Sequence, residues 1–173
     1  MTKQSAYSAA MFYAITYVLT TLAAFGVIML LARAGHEAEE ITDFAGLNQR
    51  SPLYAGVMAA VMLSLAGLPP FVGFYAKLSV LQALISSQQT SYLVLAVFAV
   101  LMSLIGAFYY LRIIKVMYFD APLSPVHPIT APADARVVLT INGALILVLG
   151  IMPGGLMTLC AQSINSIVKS LGS

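Results

Sequence analysis

Residues 8–32 hold about 25 consecutive apolar or small residues with no charged side chain among them. A helix needs about 20 residues to cross the hydrocarbon core of a bilayer. A cleaved signal peptide has an apolar region of only about 7–15 residues, so we interpret this run as a retained span. Hydrophobic residues make up 61% of the chain and charged residues 8%, whereas a soluble domain carries about 25% charged residues. The sequence therefore predicts an integral membrane protein.

Two further runs, 91–118 and 136–152, are also long and apolar enough to span a membrane. Residues 52–87 are ambiguous, because Pro69 and Pro70 interrupt the apolar run near its middle. The segment is either two short spans folded back on each other or one span broken at the prolines.

The distribution of basic residues decides between these alternatives, since basic residues in short loops favour the cytoplasmic side. If 52–87 is one broken span, the loops 33–51 and 119–135 lie on the same side of the membrane. That side then carries five basic residues, namely Arg33, Arg50, Arg112, Lys115 and Arg136. The other side holds only Lys3 and Lys169. A hairpin would abolish this asymmetry, so we predict one span broken near 69–76, with both termini outside the cytoplasm.

The tail 155–171 alternates apolar and polar residues at helical spacing and is too polar to span, so it predicts a helix lying on the membrane surface. The fold class is thus all-α. We expect a single membrane domain over 1–173, a polytopic helical bundle of four spans, one of them discontinuous, plus this interfacial helix.

Several classes of site are not supported by the residues. The net charge of +2 gives no reason to expect nucleic-acid binding. The single cysteine, Cys160, excludes an internal disulfide, and His36 and His127 lack the spacing of paired ligands, so we predict no metal site. No phosphate-binding loop or nucleophile arrangement is present. We therefore expect no bound cofactor and no catalytic chemistry in this chain.

Lys77 is the residue that this composition does not explain. It follows the interruption made by Gly67, Pro69, Pro70 and Gly73, with no acid near it in sequence. An ionisable residue inside a membrane costs about 2.5–3.5 kcal/mol on insertion scales and usually faces the bundle interior or a water-filled cavity. Lys77 could reach an interface with its long stem or donate to carbonyls freed by the break. We favour proton transfer, because broken helices near the membrane midplane are the usual ion sites of transporters.

The following span offers polar partners for that lysine. Ser103, Gly106 and Tyr110 lie along one helical face, with Tyr109 beside it. A tyrosine hydroxyl can donate a hydrogen bond to water or to a neutral amine. The alternative for these tyrosines is an aromatic belt at the cytoplasmic interface.

The stretch LSLAGLPPFVGFYAKL followed by AFYYLRIIKVMYF resembles subunit N of bacterial respiratory complex I, the NADH–quinone oxidoreductase. FYAITYVLTTLAAFGVI and HEAEEITDFAGLNQRSPL are similar to the same family, so the resemblance covers nearly the whole chain. It implies helices eleven to fourteen of a fourteen-helix, antiporter-like subunit in the bacterial inner membrane. It also implies that Lys77 is the proton-path lysine of a discontinuous twelfth helix, with Tyr109 near it on the thirteenth.

The resemblance implies partners as well. These are the other membrane subunits of complex I, the lipid bilayer and an N-terminal half of the same subunit, which carries a glutamate and lysines that this chain lacks. NADH, flavin, iron–sulfur clusters and quinone are expected on other subunits. We expect a C-terminal fragment that serves proton translocation without redox chemistry of its own. The alternatives are a subunit of a multisubunit cation/proton antiporter and a structural fragment that transports nothing.

Overall fold

The computed structural model describes residues 3–33, 40–122, 129 and 131–171. Every regular element within those ranges is a helix, which confirms the all-α fold class. The α-helices are α1 (Lys3–Arg33), α2 (Leu47–Arg50), α3 (Pro52–Ala66), α4 (Val72–Ile85), α5 (Thr90–Phe119), α6 (Ala133–Ile151) and α7 (Pro153–Leu171), and a 3-10 helix covers Ile41–Phe44. His36 and His127 lie outside the described residues.

Three of these helices contain a stretch long and apolar enough to cross a membrane: Gln4–Ala32, Thr90–Phe119 and Ala133–Ile151. They correspond to the runs expected at 8–32, 91–118 and 136–152. Pro52–Ala66 and Val72–Ile85 are apolar but shorter. Membrane crossing by α3 and α4 together stays a prediction.

The interruption between α3 and α4 spans residues 67–71 and is shorter than the sequence indicates. Gly67 ends α3 in the left-handed conformation, with φ 80° and ψ 41°, and Phe71 is extended before α4 begins at Val72. The expectation that Gly73 forms part of the break is wrong, since Gly73 lies in the first turn of α4. A Cβ at this position would overlap the backbone carbonyl of Ser64. Gly73 therefore allows the start of α4 to lie against the end of α3.

The halves of this broken segment share their neighbours. Both α3 and α4 contact α1, α5 and α6, and they contact each other less than either contacts α1 or α6. The buried core lies between these helices and includes Phe12 and Val27 of α1, Val61 of α3, Val72 of α4 and Ile146 of α6. The break is consequently held from several sides.

The two outer helices differ in their surroundings. Most large side chains of α5 are exposed, and only Ala96, Val116 and Met117 of this helix are buried. The strongly amphipathic α7 packs mainly on α1 and buries Cys160. Its placement on a membrane surface stays a prediction.

Candidate functional site

Lys77 lies in the second turn of α4, and its side chain reaches back to the end of α3. Its Nζ donates to the carbonyl oxygen of Leu65 at 2.8 Å and to that of Ala66 at 3.4 Å. The last four carbonyls of an α-helix have no partner within the helix. For α3, the amides of Gly67 and Leu68 bind the first two of these carbonyls, and Lys77 binds the last two. The ammonium thus completes the hydrogen bonding of the broken helix.

Gly67 is packed directly on this lysine. A Cβ at Gly67 would lie 3.0 Å from Cδ of Lys77 and 3.3 Å from its Nζ. On the other side of the break, the amide of Gly73 donates to Oγ of Ser64 at 3.1 Å, which satisfies one of the free N–H groups at the start of α4. The two half-helices are therefore joined by side chains from each of them.

Two cavities meet at Lys77. The first, the polar cavity, has a volume of about 260 Å³ and is lined on the broken-helix side by Lys77, Ser64 and Gly73. The second, the apolar cavity, has a volume of about 370 Å³ and is lined mainly by side chains such as Leu81 and Val100. Lys77 is half-buried between them. Its ammonium can consequently be reached from a region suited to water and from one that is not.

The residues expected from α5 are only partly brought to this site. Ser103 lines both cavities, and Gly106 and Tyr110 line the polar cavity. Tyr109 does not line either cavity and is 53% exposed, with its ring against Phe108. Of the two neighbouring tyrosines, Tyr110 is the one placed beside Lys77.

The sequence reasoning missed the contribution of α1. Tyr13, Thr16, Tyr17 and Thr20 all line the polar cavity. Their spacing of three, four and seven residues places them on one helical face. This polar stripe in an otherwise apolar helix was the signal that could have found them.

In the part of the chain that the structure describes, the side chains around Lys77 include neither carboxylates nor metal ligands. Among the described residues, no Asp or Glu lines either cavity, and no cluster of His, Cys, Asp or Glu could hold a metal ion. Within the described ranges, the Nζ of Lys77 therefore meets helix-end carbonyls, and its cavity is lined by hydroxyl groups. A lysine amine in such surroundings can hold or release a proton.

The chain is similar to several curated proteins named NADH-quinone oxidoreductase subunit N. It is 82% identical to the protein of Polaromonas naphthalenivorans over 170 residues, which cover 98% of this chain and 34% of that protein. It is 62% identical to the protein of Herminiimonas arsenicoxydans over 167 residues, which cover 96% of this chain and 32% of the relative. The chain spans about a third of the length of the curated relatives it matches.

A solved structure and a family model agree with these relatives. A chain in respiratory complex I from Thermus thermophilus with bound aureothin matches with a TM-score of 0.72 and 29% identity, over 88% of this chain and 34% of that chain. The model of the NADH:quinone oxidoreductase/Mrp antiporter transmembrane family matches residues 1–103. Since this match covers more than half of the sequence and includes α1, α3, α4 and Lys77, the chain belongs to the NADH:quinone oxidoreductase/Mrp antiporter family of membrane proteins.

Proposed function

We propose that this chain is the C-terminal part of a proton-translocating membrane subunit of an NADH:quinone oxidoreductase, with Lys77 on its proton path. The observation that carries this proposal is the position of the Lys77 ammonium against the end of α3, between a polar and an apolar cavity. NADH, flavin, iron–sulfur clusters and quinone belong to other subunits in this proposal. The chain itself contributes no redox chemistry.

The geometry suits a lysine that gains and loses a proton. An ammonium group has three N–H donors, and two of them point to the carbonyls of Leu65 and Ala66. The C-terminal end of a helix carries a partial negative charge of roughly half an electron and stabilises a cation. The third N–H remains for the polar cavity, where water can accept or return a proton.

The dimensions of the broken segment support a single crossing. Helices α3 and α4 have 15 and 14 residues, which correspond to about 22 Å and 21 Å of helix. Because Gly73 packs on Ser64, the end of α3 and the start of α4 lie side by side. The overlap shortens the sum to roughly 35 Å, which suits a hydrocarbon core of about 30 Å and its interfaces.

The test that separates proton transfer from anchoring is Lys77→Arg in the full-length subunit within the assembled complex. Arginine keeps the positive charge and the donors but does not lose its proton. We expect NADH oxidation to continue and NADH-driven proton uptake into vesicles to fall sharply, as it also should for Lys77→Ala. Normal pumping by assembled Lys77→Arg complex would refute the role of Lys77 as a proton carrier.

Two other functions remain as outcomes of related experiments. The family that the chain belongs to includes Mrp antiporters, and a subunit of a cation/proton antiporter would exchange ions without NADH or quinone. A purely structural segment would tolerate Lys77→Met without loss of transport. NADH-dependent proton movement by the purified complex, abolished in Lys77→Arg, excludes both.

The proposed location is the bacterial inner membrane, in contact with lipid and with other membrane subunits of the complex, and no nucleic acid is involved. The charge asymmetry supports a periplasmic position for α7. Lys169 is exposed in the last turn of α7. We expect Lys169→Cys to react with a membrane-impermeant maleimide added to the periplasmic side, and labelling only from the cytoplasmic side would reverse the orientation.

A further inference from the structure

Helix α1 presents a stripe of hydroxyl groups to the polar cavity, which Lys77 also lines. Thr16 and Thr20 lie at the centre of this stripe and are each only 2% exposed. Buried hydroxyls in an apolar helix require hydrogen-bond partners, since an unpaired polar group in an apolar environment is costly. The hydrogen bonds that these two threonines already make therefore determine which donor and acceptor sites remain for a further partner.

Both threonines have already used their only donor. The hydroxyl of Thr20 donates to the carbonyl oxygen of Thr16 at 2.7 Å. The hydroxyl of Thr16 donates to the carbonyl oxygen of Phe12 at 2.9 Å. A threonine hydroxyl has one donor and two acceptor lone pairs. The hydroxyls of Thr16 and Thr20 are consequently left as acceptors.

The broken-helix wall of the cavity presents donors instead. Lys77 uses two N–H groups on the carbonyls of Leu65 and Ala66 and retains a third. Oγ of Ser64, which is 1% exposed, accepts from the amide of Gly73, so its own O–H remains free to donate. The acceptor hydroxyls of Thr16 and Thr20 thus line the same cavity as the donors of Lys77 and Ser64.

No direct hydrogen bond joins these two walls in the part of the chain that the structure describes. The space between them is about 260 Å³, and a water molecule takes up about 30 Å³ in the liquid. A buried water needs two to four polar partners, and the donors of Lys77 and Ser64 together with the acceptors of Thr16 and Thr20 supply them. Several ordered waters fit this site.

We propose that Thr16 and Thr20 bind water in the polar cavity and thereby position the water that exchanges a proton with Lys77. The inference deepens the proposed function and rests on it, because the threonines act through water on the lysine. They are positioning residues, and neither gains nor loses a proton itself. In the alternative, the hydroxyls of Thr16 and Thr20 serve only to bond to backbone carbonyls of α1, as is common for threonine in apolar helices.

The experiment replaces Thr16→Val and Thr20→Val in the full-length subunit of the assembled complex. Valine keeps the branched shape of threonine and removes the hydroxyl. The matched control is Thr21→Val, because Thr21 makes the same type of back-bond, to the carbonyl of Tyr17 at 2.9 Å, but does not line the cavity. The conservative variants Thr16→Ser and Thr20→Ser retain the hydroxyl and serve as rescue.

We expect Thr16→Val and Thr20→Val to lower the protons moved per NADH oxidised several-fold and to change the solvent isotope effect on pumping, while assembly stays normal. Thr21→Val and the serine variants should behave as wild type. Unchanged pumping in both valine variants would overturn the inference. So would failure of these variants to assemble while Thr21→Val assembles, since the threonines would then be structural.

Lys77→Arg measured in parallel keeps the two proposals apart. If Lys77→Arg stops proton pumping but Thr16→Val and Thr20→Val leave pumping unchanged, the proposed role of the two threonines fails and the proposed function stands. If Lys77→Arg pumps normally, the proposed function fails, and the inference fails with it.

Discussion

Gly67→Ala is the substitution whose effect on the site follows most directly from the structure. Gly67 has φ 80° and ψ 41°, and its amide donates to the carbonyls of Leu63 and Ser64 at 3.1 Å and 3.0 Å. A residue with a Cβ in this left-handed conformation costs about 1–2 kcal/mol. Alanine at position 67 should therefore lower the free energy of unfolding by at least that amount.

The new Cβ would also press on Lys77, at 3.0 Å from Cδ and 3.3 Å from Nζ. The lysine stem is flexible and can move by a few tenths of an ångström, but the movement lengthens the 2.8 Å bond to Leu65. A hydrogen bond to a charged group contributes about 1.5–3 kcal/mol. Losing part of it brings the expected total for Gly67→Ala to roughly 2–3 kcal/mol.

Chemical denaturation in detergent micelles, followed by circular dichroism, measures this loss. Gly56→Ala is the matched control in the same helix, because a Cβ there meets no atom within 4 Å. It should raise stability by about 0.5–1 kcal/mol, the usual gain from replacing a helical glycine. Gly67→Asn separates the two effects, since asparagine tolerates the left-handed conformation but still carries a Cβ.

In the assembled complex, Gly67→Ala and Gly67→Asn should both reduce proton pumping, because both displace Lys77. Only Gly67→Ala should show the full loss of stability. If Gly67→Ala is as stable as wild type and pumps normally, Gly67 does not hold Lys77 in place, and the reasoning is refuted.

Three further predictions concern Gly150, Asn142 and Cys160. A Cβ at Gly150 would overlap the backbone of Pro70, so Gly150→Ala should lower the thermal unfolding midpoint by the equivalent of about 1–3 kcal/mol. Gly154→Ala is the control, because a Cβ at Gly154 meets open space, and it should leave the midpoint unchanged. Equal midpoints for the two variants would contradict the prediction. Oδ1 of Asn142 is buried with no hydrogen-bond partner among the described residues, so Asn142→Leu should raise the free energy of unfolding by about 1–3 kcal/mol. A lower free energy of unfolding for this variant would show that Oδ1 accepts a hydrogen bond. Burial raises the pKa of the Cys160 thiol, and the thiolate is the reactive form, so maleimide should label the folded protein slowly at neutral pH and the denatured protein quickly. Because the pKa of the Cys160 thiol is higher in the folded protein than its unfolded value of about 8.5, the free energy of unfolding should also fall as the pH rises past that value. A free energy of unfolding that does not change with pH, together with fast labelling of the folded protein, would refute the burial of Cys160.

The long helices could be predicted because a single local property determines them. Apolar runs long enough to span a bilayer predict α1, α5 and α6 to within a few residues at most ends. The exception is the start of α1, which lies at Lys3, whereas the apolar run begins at residue 8. The pair of prolines gave the interruption after α3. The role of Gly73 was misjudged because a glycine can break a helix or permit close packing, and only the neighbour at Ser64 decides between these.

The composition of the site was less accessible from sequence. The sequence predicts polar partners of Lys77 on the following span, and Ser103 and Tyr110 do line the polar cavity. The buried threonines of α1 lie about sixty residues earlier in the chain. Which of two neighbouring tyrosines faces Lys77 depends on the rotation of α5 about its axis. Both are consequences of tertiary packing, which local patterns do not specify.

In the proposed function Lys77 releases a proton, and among the described residues no carboxylate lines the cavities beside it. In the described part of the chain, the charge is balanced by the last carbonyls of α3 and by hydroxyl groups. A helix end supplies a partial negative charge of roughly half an electron, whereas a carboxylate supplies a full one. A buried salt bridge would keep the proton on the lysine, because removing it would leave an unpaired buried anion. Helix-end carbonyls accept hydrogen bonds from a neutral amine as well as from an ammonium, so the broken helix can hold Lys77 in place in both states.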